Sequence, residues 1–145
     1  MLRHPSLIPL SHQHQHALAL CVQIERGQRA GASPEQIAKL ARKAADLFEL
    51  ELRNHFDVEE RILFPAIREH LGSMPLVSEL IAEHRRLEAL IARAPETLAE
   101  FGSTLSAHIR KEERDLFEDI QQRLPAETLE QLGKKIEAEV VRVCL

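Results

Sequence analysis

The chain has 145 residues, of which 44% are apolar and 29% are charged. This length and composition are typical of a globular protein, and we expect a single domain over residues 1–145. The net charge of −4 argues against nucleic acid as a partner, and two cysteines are too few for a disulfide framework. Because no apolar run approaches the roughly 20 residues that span a bilayer, and the first residues lack the apolar core of a secretory signal, we expect a cytoplasmic protein with no membrane partner.

The predicted elements are all α-helices, because apolar residues recur every three or four positions and not every two. Ser33, Pro34 and Gln36 form a helix start signal, with the serine as N-cap and the glutamine three residues later. Pro65 is expected to kink the second helix or to end its regular part. In chain order, the expected helices run over about residues 9–27, 34–70, 75–93, 95–123 and 126–142.

Four long helices joined by short connections are typical of an up-down-up-down four-helix bundle, which we expect over about residues 9–123. Pro125 separates this bundle from a short tail helix. The tail helix carries an apolar stripe that includes Leu129, Leu132 and Ile136. Such a stripe either caps the bundle or mediates a homodimer, and the sequence leaves both alternatives open.

Two segments of the chain repeat one pattern, HFDVEERILF from His55 and HIRKEERDLF from His108. Each reads histidine, three residues, Glu-Glu-Arg, one residue and Leu-Phe, and the two copies are 53 positions apart. On a helix, His55 and Glu59 lie one turn apart on the stripe that also holds Leu52, so they interrupt the core-facing side. The second copy places His108 and Glu112 in the same way.

Two His–Glu pairs in a helical core are difficult to satisfy without a shared partner. Burying a carboxylate and an imidazole costs free energy unless each is paired, and a metal ion can serve both pairs at once. Imidazole nitrogen and carboxylate oxygen are common ligands of divalent metals, and helical bundles build two-metal sites from inward-facing His and Glu. His55, Glu59, His108 and Glu112 are therefore predicted metal ligands.

The first and third helices should then supply histidines as well. On the third helix, His84 lies just before an apolar pattern, and the first helix offers His12, His14 and His16. Setting His14 against His84 also aligns neighbouring proline, leucine and alanine residues, so His14 is the favoured ligand and His16 the second choice. An exposed metal pair of His12 and His16, one turn apart, is a weaker alternative.

Glu60 and Glu113 each follow a predicted ligand immediately. Each is a solvated neighbour, a hydrogen-bond partner of a ligand or an additional ligand, and Glu113 is kept among the candidates. The predicted metal ligands are His14, His16, His55, Glu59, His84, His108, Glu112 and Glu113.

In this order and at these spacings, the motifs HQH, HFDVEE, EHRRL and HIRKEE resemble the hemerythrin-like, or HHE cation-binding, domains over about residues 4–120. The resemblance implies a left-handed four-helix bundle with a non-haem di-iron centre, and zinc as a less favoured metal. Glu59 and either Glu112 or Glu113 would bridge the irons or complete their ligand shell. The histidines that this resemblance implies as iron ligands are His14 or His16, His55, His84 and His108.

The chain departs from the oxygen carriers of this family at two positions. The carriers have a second histidine one turn before the third-helix histidine, where this chain has Leu80. They place an aspartate five residues after the last histidine, where this chain has Glu113, preceded by Glu112. These departures argue against reversible oxygen carriage and favour the bacterial HHE branch, whose activities include sensing, iron handling, and peroxide or nitric oxide chemistry.

The sequence supports three hypotheses for function. The first is a di-iron protein that binds or reacts with oxygen, peroxide or nitric oxide in the bundle core. The second is iron or redox sensing, or iron handling, through a partner, and the third is a structural zinc site. The chain has no tyrosine, which excludes a tyrosyl radical, and no arrangement typical of hydrolytic catalysis. Enzymatic activity is left open, with peroxide decomposition as the candidate reaction.

Overall fold

The computed structural model describes residues 2–142, which form five helices and contain no strand, so the all-α prediction is confirmed for this part of the chain. None of these helices has both the length and the apolar character needed to cross a membrane. A 3₁₀ turn, Pro5–Leu7, precedes the first helix. In chain order the helices are α1 (Ile8–Arg29), α2 (residues 34–71), α3 (Pro75–Ala92), α4 (residues 98–123) and α5 (Ala126–Glu139).

The start of α2 follows the capping pattern in its sequence. Ser33 Oγ accepts a hydrogen bond from the Gln36 N–H at 3.2 Å, and Gln36 Oε1 accepts one from the Ser33 N–H at 2.9 Å. These two bonds satisfy backbone donors that the first helical turn leaves without intrahelical partners. The long helix that supplies His55 and Glu59 is thereby fixed at its N-terminal end.

Three turns of the long helices are wound more widely than an α-helix. In the second of them, the N–H of Phe64 bonds to the carbonyl of Glu59, five residues back. Pro65 lies two residues after the end of this segment, and α2 returns there to α-helical winding and continues to Leu71. π-Helical turns are rare and occur frequently at functional sites. The three segments are Phe48–Leu52 and Glu59–Leu63 in α2, and Glu112–Phe117 in α4.

The repeat in the sequence therefore extends to the backbone. One π-helical segment begins at Glu59 and another begins at Glu112, the same positions of the two 53-residue copies. In both helices the backbone from the histidine to the first glutamate is α-helical, which leaves the two side chains one turn apart on the same side.

Two apolar clusters fill the interior, and six of the eight predicted ligands lie in a polar layer where the clusters meet. One cluster includes Phe101 and the other includes Leu116. Along α3, Leu80 belongs to the second cluster and Leu87 to the first, with His84 between them. The polar layer is thus enclosed by apolar packing on both sides, which keeps water away from it.

Two helix bounds differ from the sequence prediction by three residues, and the others agree within two. Residues 93–97 form turns, and α4 begins at Leu98 instead of Pro95, with Thr97 Oγ1 donating to the Leu90 carbonyl at 2.5 Å. The tail helix α5 ends at Glu139 instead of residue 142, because the Asn54 side chain forms hydrogen bonds with backbone groups that would otherwise continue the helix. It donates to the Glu139 carbonyl at 2.9 Å and accepts from the Val141 N–H at 2.8 Å.

The apolar stripe of α5 is buried within the same chain. Leu129, Leu132 and Ile136 are at most 4% exposed and pack in the cluster that includes Leu116. At Gly133 the helix approaches the N-terminal segment so closely that an added Cβ would lie 3.1 Å from the Cα of Ser6. Of the two alternatives, the structure therefore favours the capping role, and a homodimer through α5 stays an untested prediction.

We expect the substitution Leu132→Ala to lower the free energy of unfolding by about 2–4 kcal/mol, since it leaves a cavity in the core. Urea denaturation at two protein concentrations measures this loss. If α5 caps its own chain, the loss is the same at both concentrations, whereas a loss that depends on concentration would contradict capping. Leu50→Ala is the matched control, because Leu50 is 58% exposed and its truncation should change the stability little.

Candidate metal centre

Six buried side chains from four helices converge in the polar layer and form two overlapping groups. In each group the potential ligand atoms all lie within 4.8 Å of one another. Both groups contain Glu59 and Glu112. The first group adds His14 and His55 and is called the α1–α2 position; the second adds His84 and His108 and is called the α3–α4 position.

The two carboxylates lie between the two positions. Glu112 Oε1 is 3.0 Å from His14 Nε2 and 3.5 Å from His55 Nε2, while its Oε2 is 3.5 Å from His108 Nε2. Glu59 Oε1 is 3.4 Å from His55 Nε2 and 3.1 Å from His84 Nε2. Each carboxylate therefore faces histidines of both positions, an arrangement suited to bridging two cations.

These converging atoms are deeply buried and have no hydrogen-bond partners in the described chain. The six side chains are at most 2% exposed. The close Nε2–oxygen approaches lack hydrogen-bond geometry, so the Nε2 atoms of the four histidines and both oxygens of each glutamate are unsatisfied. A buried unsatisfied polar atom costs about 1–3 kcal/mol, and more if charged. A pair of cations would satisfy all eight atoms, so the side chains fit a metal centre.

Each histidine is oriented by an acceptor on a neighbouring helix, which lies behind the ring, on the side away from the converging Nε2 atoms. In every case Nδ1 lies at hydrogen-bond distance from a side-chain oxygen. A ring that donates from Nδ1 presents the lone pair of Nε2, which is the form that binds a metal. The pairs are His14 with Glu113 at 2.5 Å, His55 with Gln13 at 2.9 Å, His84 with Glu60 at 2.7 Å and His108 with Glu83 at 2.7 Å.

Electrostatics favour neutral rings at the α3–α4 position. Burial lowers the pKa of His84 to about 2, and burial likewise lowers the pKa of His108. A neutral ring carries one proton, which the acceptor behind it holds on Nδ1, so Nε2 of His84 directs a lone pair towards Glu59. His84 Nε2 and Glu59 Oε1 are 3.1 Å apart, and both carry lone pairs. They repel each other unless a proton or a cation lies between them.

Glu112 and His14 form the charged part of the centre. Burial opposes a charge on Glu112, but its contacts with Glu59, His14 and His55 lower its pKa well below its usual range. Burial and the adjacent Glu112 carboxylate raise the pKa of Glu59 well above its usual range. Burial opposes a charge on His14, but its contacts with Glu112 and Glu113 raise its pKa overall. Protons therefore occupy part of the space that cations would take, and cation binding must displace them.

Two of the predicted ligands lie outside both groups. His16 is two residues from His14, about 200° around the helix, and its Nδ1 lies 2.9 Å from an oxygen of the buried Glu51. Glu113 turns away from the groups and accepts from His14 Nδ1 and from Ser11 Oγ, the latter at 2.8 Å. Among the alternatives that the sequence left open, the structure brings His14 and Glu112 into the groups.

Sequence reasoning missed Gln13 and Glu83. Each immediately precedes a histidine of the centre, at equivalent positions of α1 and α3. Each accepts from a different histidine, on the neighbouring helix: Gln13 from His55 and Glu83 from His108. The only sequence signal was an acceptor side chain at the same place in both helices.

A comparison with protein families supports the same chemistry. The family described as the hemerythrin HHE cation binding domain matches residues 9–120. No curated protein and no solved structure matches the chain. The matched range begins at the second residue of α1 and ends within α4, so it contains all six converging side chains.

Proposed function

Since the chain belongs to the hemerythrin HHE cation-binding domain family, we propose that it is a non-haem di-iron protein that binds or reacts with oxygen, peroxide or nitric oxide. The observation that carries this proposal is the pair of overlapping ligand groups with Glu59 and Glu112 in common. We also propose that α1–α4 form the up-down-up-down bundle of this family. Contacts of α4 with α1 and α3, and of α1 with α2, support that topology.

The ligand count favours iron that can take up a further ligand. Each position offers two imidazole nitrogens and the two shared carboxylates. Iron in six-coordinate sites of this type keeps open positions when the protein supplies fewer ligands. Leu80, where the oxygen carriers have a histidine, adds no nitrogen to the α3–α4 position. This difference favours small-ligand chemistry over reversible oxygen carriage.

The side chains around the centre keep it dry and fix the rings. The Phe56 ring stacks on His84 with a centroid distance of 3.9 Å, and Phe117 stacks on His14 at 5.6 Å. Leu80 is fully buried one turn before His84. Apolar walls exclude water from a reactive centre, and the acceptors behind the histidines hold each ring in its binding orientation. Two ferrous ions, when bound, supply two electrons for the reduction of a small ligand.

A second candidate function is iron or redox sensing through a partner. One observation favours it: Gln13, which holds His55, also donates to the carbonyl of Val141 at 3.1 Å, close to the protein surface. A change at the α1–α2 position could therefore be transmitted to the segment after α5. Hydrogen exchange of residues 139–142 with and without iron tests this candidate, and equal protection in both states would contradict it.

The proposed function is tested by the iron content and visible spectrum of anaerobically prepared protein, before and after exposure to air. We expect two irons per chain and an absorption band that appears on oxygenation. Zinc in place of iron, or no more than one ion with no spectral change, would contradict the proposal and favour a structural or sensing role.

A further inference from the structure

The metal centre has an approximate internal two-fold relation. An offset of 53 residues relates α2 to α4, and an offset of 70 relates α1 to α3. Under these offsets the histidines of the α1–α2 position correspond to those of the α3–α4 position, and Glu60 corresponds to Glu113. The remaining acceptors, Gln13 and Glu83, also correspond, but one is a neutral amide and the other a carboxylate.

The orientation of the Gln13 amide is fixed by its neighbours. Its Nε2 donates to the carbonyl of Val141 and to Asn54 Oδ1, both at 3.1 Å. Asn54 is oriented in turn, because its Oδ1 also accepts from the Val141 N–H. Gln13 Oε1 must therefore face His55, and the contact between them is a hydrogen bond from the ring to a neutral acceptor.

Glu83 differs from Gln13 in charge and in surroundings. One of its oxygens accepts from His108 at 2.7 Å, and the other lies 2.5 Å from Lys111 Nζ. Both contacts suit a carboxylate, since one oxygen accepts from a ring N–H and the other faces an ammonium group, whereas the corresponding Gln13 side chain is a neutral amide. Lys111 also pairs with Glu79 at 2.5 Å, so its charge is shared between two carboxylates.

We propose that the difference between Gln13 and Glu83 makes the two ion positions unequal, so that the α3–α4 position binds its ion more tightly and fills first. The inference rests on the two-ion centre proposed above. A carboxylate behind a histidine increases the electron donation of the ring to a metal, and loss of such a partner typically weakens metal binding about 10–100-fold. Lys111 weakens this effect but does not cancel it, because the carboxylate itself contacts the ring.

Two variants separate the positions in an anaerobic titration with Fe²⁺ or Co²⁺ that resolves two binding steps. We expect Glu83→Gln to weaken the first step about tenfold or more, because it gives the α3–α4 position a neutral acceptor too. We expect Gln13→Leu to leave the first step unchanged and to weaken the second. An unchanged first step in Gln13→Leu also shows that the variant is folded.

Glu100→Gln is the matched control, because Glu100 is an exposed carboxylate of α4 that pairs with Arg86. It should leave both steps unchanged. The inference would be overturned if Glu83→Gln left the first step unaltered, if Gln13→Leu weakened that step equally, or if Glu100→Gln also weakened it. The proposed function fails separately, if the wild-type protein does not bind two ions at all.

Discussion

Replacing Glu59 with glutamine is expected to empty both ion positions at once. The Glu59 carboxylate lies within 3.4 Å of His55 at one position and 3.1 Å of His84 at the other. Glutamine has nearly the same volume but no charge, so Glu112 alone among the converging side chains would have to compensate both cations. Metal analysis after anaerobic loading with iron should fall from two ions to about half an ion per chain or less, since binding requires the deprotonated ligand.

Two controls show whether this loss is specific. Glu49→Gln changes a carboxylate on the same helix that is exposed and paired with Arg53, and it should keep both ions. The metal-free Glu59→Gln protein should be about as stable as the metal-free wild type, because the substitution replaces a buried carboxyl group whose ionised form is disfavoured by burial and by Glu112. If Glu59→Gln still binds two ions, Glu59 is not the shared ligand of the centre.

Removing the ions is expected to lower the thermal unfolding midpoint by about 15 °C or more. An ion present at 1,000 times its dissociation constant stabilises the folded state by about 4 kcal/mol, and two such ions by about 8 kcal/mol. Each kcal/mol shifts the midpoint of a chain of this size by roughly 2–4 °C. Without cations, eight buried polar atoms of the centre are unsatisfied. Calorimetry of loaded and chelator-treated protein measures the shift.

The Glu59→Gln variant serves as the control for this thermal shift. Because it is expected to hold no ions, chelation should leave its midpoint unchanged. Equal midpoints for loaded and chelated wild-type protein would contradict a metal centre that contributes to folding. A shift of equal size in the variant would mean that the chelator acts elsewhere.

Much of the fold could be predicted from periodicity and stop signals, because both depend on local sequence. The Ser33–Gln36 capping box is one example, since its bonds join residues three apart. The end of α5 could not be predicted, because it depends on Asn54, which is distant in sequence. The turn before Leu98 was misjudged, since Pro95 is also a common first residue of a helix.

The residues of the candidate site could likewise be predicted only in part. The repeat pointed to His55, Glu59 and their copies, because pairs one turn apart are visible in the sequence. The choice between Glu112 and Glu113 depends on the winding of α4, which becomes π-helical only from Glu112 onward. Gln13 and Glu83 could not be assigned, because their partners lie on other helices.

The most direct test of the two-ion centre is a crystal structure of the iron-loaded protein with diffraction data collected at the iron absorption edge. The arrangement of ligands predicts two iron peaks per chain, roughly 3.5–4 Å apart as in other two-metal sites. One peak should contact His14 and His55, the other His84 and His108, and both should contact Glu59 and Glu112. A single peak, two peaks without a common carboxylate, or a signal only at the zinc edge would contradict the account.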